Sequence, residues 1–279
     1  GRLLLAEFLG ALAPVELARV WLRDGRAEAR REWEIARRLR RRGLPRQPLE
    51  SLVDVNDLHL RIACPGRYAS QDIFGMTCLA AIAASRRPRK VLEIGTFRGA
   101  TAWILAANAP EATVYTLDLP PDAAEPELPV GPIDREIMQR DRRGLLYEGT
   151  PEADRIVQLR GDSATFDFDV VGPDIDLAFI DGAHSYEYVR NDTEKVLPRM
   201  RPGGTIVWDD YWDPFPGVVR YLDRLADRGL VAIVATRLAV WTDVVPPKRT
   251  VGHEAAGEGR GEAAVTARAR RTEEPVCVA

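Results

Sequence analysis

Short apolar runs bounded by turn residues recur through the middle of the chain and alternate with stretches of helical period. Strand-like runs fall near 90–95, 112–118, 156–160, 175–181 and 204–209, with helices near 100–108, 185–199 and 215–228. Alternation of this kind predicts a parallel sheet covered by helices on both faces. Two closing strands near 230–235 and 238–242 are joined by Thr236-Arg237. That link is too short for a crossover helix, so the pair is expected as an antiparallel hairpin at one edge. Ahead of the first strand, Ile73, Met76, Leu79 and Ile82 predict an apolar helix over 70–85.

Upstream, Leu4, Phe8, Leu9, Leu12, Leu17, Val20 and Trp21 lie near helical spacing, and Pro14 breaks or restarts that helix. These positions predict a helical N-terminal extension over residues 1–64, with the arginine-rich stretch 23–46 read as a solvated face or as a phosphate- or membrane-facing patch. Its helices could pair between subunits in a homo-oligomer or simply cover the sheet. Gly43-Leu-Pro-Arg-Gln-Pro48 reads as a linker. The main domain is expected over 65–243. Within it, 120–154 breaks the rhythm, opening with Pro120-Pro121 and turning basic around Arg135 to Arg143. A connection this long, leaving the sheet just after Asp118, reads as a lid, an acceptor-binding loop or an inert insertion. Residues 244–279 are rich in Gly, Ala, Glu and Arg with few large apolar side chains, and are expected to be disordered.

Composition narrows the class. With 279 residues, the chain can bury a substantial core. Its 39 basic and 42 acidic residues leave a net charge of -3, so no nucleic-acid partner is expected from bulk charge. Cys64, Cys78 and Cys277 lack metal-ligand spacing and suggest reduced thiols. No apolar run reaches membrane-spanning length, and Gly1-Arg-Leu-Leu-Leu carries no signal-peptide pattern. The expectation is a soluble cytoplasmic protein without a membrane partner.

The chemistry starts at Val91-Leu-Glu-Ile-Gly-Thr-Phe-Arg-Gly99. An apolar run ends in Glu93, a Gly-x-x-x-Gly turn follows, and the next strand-like run closes on Asp118. This is the layout of a nucleotide-type cofactor site at the carboxyl edge of a parallel sheet. Glycines let the backbone approach a ligand, and the acid about twenty residues on can accept hydrogen bonds from ribose hydroxyls. The spacing is neither Gly-x-Gly-x-x-Gly nor a phosphate loop ending in Gly-Lys-Ser/Thr, which weakens the dinucleotide and nucleotide-triphosphate readings.

Glu93 to Gly99 with Asp118 resembles motif I and its partner acid in the class I S-adenosylmethionine-dependent methyltransferases. Phe179-Ile-Asp-Gly-Ala-His-Ser-Tyr-Glu187, with Leu197-Pro-Arg-Met-Arg-Pro-Gly-Gly-Thr-Ile-Val-Trp-Asp-Asp-Tyr211, is similar to the branch called domain family 24, related to metal-dependent sugar O-methyltransferases. The resemblance covers roughly residues 65 to 243. It implies a Rossmann-like fold with a seven-stranded, mostly parallel sheet. It also implies S-adenosyl-L-methionine as cofactor, with Glu93, Gly95, Thr96, Phe97 and Gly99 around the methionine moiety. Asp118 is then placed on the ribose, Leu119 on the adenine ring, and Asp162 and Ser163 beside it.

A second constellation is Asp181, His184, Asp209 and Asp210. Asp181 ends one apolar strand and Asp209-Asp210 end another, so both sets emerge at the carboxyl edge of strands expected to be neighbours. Three converging carboxylates repel unless a cation or proton compensates. Oxygen-only ligands suit Mg2+, which would anchor a substrate hydroxyl and lower its pKa. His184 has an intrinsic pKa suited to a general base, with Asp181 facing the cofactor or acceptor. In the sugar methyltransferases that this segment resembles, matching positions act as ligands and base. The plain alternative is a strand end and a histidine capping a helix. Tyr186, Tyr211 and Trp212 are candidates to line an acceptor pocket, and Pro202-Gly203-Gly204 reads as a turn before the fifth strand.

The expected activity is O-methylation of a hydroxyl on a small molecule such as a sugar or glycosylated metabolite. A metal-independent methyltransferase on another acceptor and a non-catalytic module that binds the cofactor are the alternatives.

Overall fold

The computed structural model describes residues 43–62, 73–120, 123, 125–138 and 144–246. The expected N-terminal helices up to residue 42, the tail from 247, and Cys64 and Cys277 lie outside the described residues. Cys78 is buried.

The described chain forms β1 (Arg46–Gln47), α1 (Ile73–Arg86), β2 (Lys90–Ile94), α2 (Ala100–Asn108), β3 (Thr113–Asp118) and α3 (Pro132–Met138). There follow β4 (Ile156–Arg160), β5 (Ile175–Ile180), α4 (Tyr186–Val196), β6 (Met200–Trp208), α5 (Pro216–Asp223), β7 (Val231–Ile233) and β8 (Ala239–Val244). These strands make one sheet in the order β1-β7-β8-β6-β5-β2-β3-β4. All neighbours are parallel except at β8, which runs antiparallel to both β6 and β7. The predicted closing hairpin is therefore present.

Alternation within each strand splits the core in two. Val91, Val114, Leu177, Phe179 and Val207 face α1 and α2. Leu92, Ile94, Leu117, Ala178, Ile180, Ile206 and Trp208 face α4 and α5. With both faces covered, the central strands read as near-continuous apolar runs, which is why they were visible in the sequence. Trp208 is fully buried, and its indole N–H donates to Thr193 Oγ1 at 2.9 Å, so α4 is tied to β6 by a satisfied polar contact.

Two expectations need correction. The sheet has eight strands among the described residues, not seven, because the expected linker at 43–48 holds β1. Leu44 is buried, its N–H donates to Tyr211 Oη at 2.8 Å, and Ala232 and Val234 N–H groups bond the carbonyls of Pro45 and Gln47. Two residues between prolines leave no periodicity to read. Pro202-Gly203-Gly204 lies inside β6 as a bulge and not as a turn before it. Ile175 pairs with Met200, but Leu177 already pairs with Thr205, so the intervening residues loop out, with Gly203 at φ 81°.

Chain order reverses between β2 and β5, which are adjacent in the sheet. The crevice beyond their carboxyl ends is where a fold of this kind holds ligands. No helix among the described residues is long and apolar enough to cross a membrane.

Candidate active site

The loop after β2 carries three positive φ values, at Gly95 (102°), Phe97 (45°) and Gly99 (86°). Its glycines are required by the protein's own packing. A Cβ on Gly95 would lie 1.9 Å from the Asp181 carbonyl oxygen, and one on Gly99 would lie 2.5 Å from the Tyr147 ring. Gly95 N–H donates to Leu117 O at 2.8 Å, and Phe97 N–H donates to Asp118 Oδ2 at 2.6 Å. The acid read as a ribose ligand thus also fixes the loop that the cofactor would meet.

Beneath that loop runs a buried polar chain. Thr116 Oγ1 donates to Glu93 Oε2 at 2.5 Å, lies 2.6 Å from Thr96 Oγ1, and Gln158 Nε2 donates to Thr96 Oγ1 at 3.0 Å. Glu93 is fully buried, and burial lifts its pKa to about 7 against the hydrogen bonds of Thr101 and Thr116.

Above the loop opens a cavity of about 360 Å³, within the ~300–1,000 Å³ range of small-molecule sites. Gly95, Phe97, Asp118, Leu119, Asp162 and Ser163 line one side; Asp181, His184, Asp209 and Asp210 line the other. Ten of the sequence candidates therefore meet at one cleft. Glu93, Thr96 and Gly99 are not among its lining residues and sit under or behind the loop. At its Asp162 end, the cleft is tied down: Asp162 Oδ2 accepts from Glu127 N–H at 2.9 Å and from Tyr188 Oη–H at 2.7 Å. Residues 125–138 are thereby fastened at the cleft, and Pro126, Val130, Ile137 and Met138 supply an apolar wall.

His184 precedes α4, whose first turn is capped by Ser185 accepting from Tyr188 N–H at 3.2 Å. Both imidazole nitrogens face carboxylates: Nδ1 bonds Asp134 Oδ1 of α3, and Nε2 lies 2.7 Å from Asp210 Oδ2. Phe215 stacks on the ring at 4.0 Å between centroids and 20° between planes. Burial opposes a charge on this imidazole, but hydrogen bonds and attraction from Asp134 and Asp210 outweigh it and push the pKa up to about 10. Burial likewise works to raise the pKa of Asp134, yet its bonds from His184 and Gly131 hold it below the usual value. With both nitrogens so engaged, the ring is an imidazolium in this arrangement. It can act as a base only once it has given up one of its two protons, which the departure of one carboxylate would favour.

The acidic corner also departs from expectation. Burial, then the charges of Asp209 and Asp210, raise the Asp181 pKa well above the carboxylate range. Burial and the Asp210 charge raise Asp209 to about 7, with Arg237 pulling the other way. Donor atoms of Asp181, His184 and Asp210 fall within 4.8 Å of one another. Asp209 is not in that set, because its Oδ2 faces Arg237 Nη2 at 3.3 Å. The expected ligand trio of Asp181, Asp209 and Asp210 is therefore not assembled. Two carboxylates and an imidazole do not make the oxygen-only shell that Mg2+ favours, and the residues do not fit that ion.

Sequence reading missed Asp134, Phe215, Tyr188 and Arg237. Asp134 is buried in a seven-residue helix whose only local sign is Pro132 at its start. The aromatics singled out instead go elsewhere. Tyr211 Oη–H donates to Asp223 at 2.5 Å while accepting from Leu44, Tyr186 packs edge-on to Tyr221, and Trp212 lies near the surface.

The topology and the cleft are those of an α/β sheet with a ligand-sized crevice at the carboxyl ends of its strands. Residues 92–211 match a family model described as a methyltransferase domain. No curated protein matches the chain. Solved structures with a similar fold include the cofactor-bound Rv0187 from MTB (22% identity, 64% of this chain and 83% of that one, TM-score 0.43). Another is the O-methyltransferase TomG of tomaymycin synthesis from Streptomyces achromogenes, in complex with SAM (18%, 70% and 86%, 0.41). A third is the O-methyltransferase from Bacillus cereus in complex with SAH (17%, 62% and 84%, 0.40).

Proposed function

We propose that this domain transfers the S-adenosylmethionine methyl group to a hydroxyl of a small molecule, with a sugar or glycosylated metabolite as the leading class. The observation that carries this reading is the Asp134–His184 pair in the wall of the cleft that holds Asp118. A cofactor in this cleft would be held by the Gly95–Phe97 backbone, by Asp118 on its ribose, and by Leu119, Asp162 and Ser163 around its base. The bound donor supplies an electrophilic methyl group, and the surplus of carboxylates suits its sulfonium charge.

The protein's own part is to orient the acceptor and take its proton. Asp134 holds Nδ1–H, which fixes the tautomer and directs Nε2 into the cleft. If the Nε2 proton leaves on Asp210 as that carboxylate gives way, an acceptor hydroxyl taking its place would find a neutral imidazole whose Nε2 lone pair can accept the hydroxyl proton. Asp181 lies within the same cluster of donor atoms and would face the reacting groups. Magnesium has no step in this reading, since its ligand trio is not assembled.

The test is methyl transfer from labelled donor across a panel of hydroxylated acceptors. His184→Ala should lose turnover while keeping its affinity for S-adenosylhomocysteine. Undiminished turnover in that variant would remove the base assignment, and absent S-adenosylhomocysteine binding by the wild type would remove the function.

A further inference from the structure

We infer that Arg237 is the built-in counter-cation of the acidic corner, and that the site works with no divalent metal ion. The inference deepens the methyltransferase reading and rests on it for the site's purpose, though not for its test.

The placement follows from the sheet. β8 runs antiparallel beside β6, with Trp208 paired to Ala239. Continuing that register past the end of β6 sets the β7–β8 turn opposite Asp209 and Asp210, and Tyr211 N–H donates to Arg237 O at 2.8 Å. From there the guanidinium reaches both acids. Nη2 lies 3.3 Å from Asp209 Oδ2, and Nη1 lies 3.1 Å from Asp210 Oδ1, an ionic contact whose angle falls short of a hydrogen bond. Its carbon also sits 5.8 Å from the centre of the Trp212 ring, a face that favours a cation.

Burial sharpens the point. The Asp209 and Asp210 side chains are 3% and 9% exposed, against 24% for Arg237. Two adjacent carboxylates so enclosed need a compensating positive charge, and a planar fork can meet two acids at once where a lysine meets one point. His184 Nε2 holds Asp210 from the other side at 2.7 Å. A metal ion held by Asp209 and Asp210 would have to displace a fixed cation from both, and one held by Asp181, His184 and Asp210 would add a second positive charge beside the guanidinium. The charge that a metal would supply is already supplied by the chain.

The probe is Mn2+, followed by the loss of its free-ion resonance on titration into the full chain. Wild-type protein should leave that signal undiminished, and chelator should leave methyl transfer intact. Arg237→Ala should take up one ion per chain, because the carboxylates lose their partner, while Arg237→Lys, which keeps the charge but meets one acid at a time, should take up ion more weakly than Arg237→Ala. Stoichiometric uptake by the wild type that disappears in Asp210→Asn would overturn the inference. So would a folded Arg237→Ala that takes up none. Should Arg237→Ala fail to fold, the wild-type titration alone decides. Calorimetry with S-adenosylhomocysteine on the same samples separates the two claims: an absent donor site with Mn2+ left free would end the methyltransferase reading and leave this one standing.

Discussion

The two walls of the cleft are built in different ways. The wall formed by the loop after β2 and the end of β3 is local in sequence. Gly95 N–H donates to Leu117 O, Phe97 N–H donates to Asp118, and a buried chain of Glu93, Thr116, Thr96 and Gln158 supports them from below. The opposite wall is assembled from four distant stretches: Asp134, Asp181 with His184, Asp209 with Asp210, and Arg237. Hydrogen bonds between largely neutral groups hold the first wall, and opposed charges in a partly buried corner hold the second. The first wall is a rigid seat; the second can exchange a partner when a substrate arrives.

Substitutions should separate the walls. The largest effect is expected at Gly95→Val, where the new side chain meets the Asp181 carbonyl and a strained φ. Stability should fall by about 3 kcal/mol or more in denaturant unfolding, and a variant of wild-type stability that merely fails to bind donor would refute the packing account. On the charged wall, His184→Ala should reduce turnover about a hundredfold or more with donor affinity unchanged. Asp134→Asn should reproduce part of that loss in kcat with little change in donor KM; equal losses in both would show that it only shapes the pocket. Asp118→Ala should weaken S-adenosylhomocysteine binding by about 1–3 kcal/mol in calorimetry.

The smallest effect concerns pH and the rigid wall. Burial raises the Glu93 pKa from an ordinary 4.5 to about 7, so the folded state holds this proton more tightly than the unfolded one. The resulting stability is complete below about pH 4.5 and is lost as pH rises through about 7. Glu93→Gln should flatten that slope and add about 1 kcal/mol at pH 8, as read from unfolding curves across pH. A slope equal to that of the wild type would assign the proton elsewhere.

Legibility followed the same division. Strands buried on both faces announce themselves as apolar runs, so β2, β3, β5 and the end of β6 were visible, and their terminal acids with them. The glycine loop was visible too, though its glycines turned out to answer to Asp181 and Tyr147. Glu93, visible as part of the motif, lies fully buried beneath the loop and accepts from Thr116. Asp134 and Arg237 had no local signal. One lies fifty residues from its histidine partner, and the other sits in a turn whose neighbours are set by strand order. β1 and the bulge in β6 escaped for a similar reason, since pairing partners and not periodicity define them.

The reversed strand gives the turn at residues 234–238 a reach that its length conceals. Ala235 already stands in the left-handed region at φ 61°, and the position of the guanidinium depends on that bend. One residue added or removed there would swing Arg237 away from both acids without touching any strand, so the electrical balance of the catalytic cleft is set from the rim of the sheet. In a chain of this design, the hairpin turn is the part to vary when a different charge balance in the cleft is wanted.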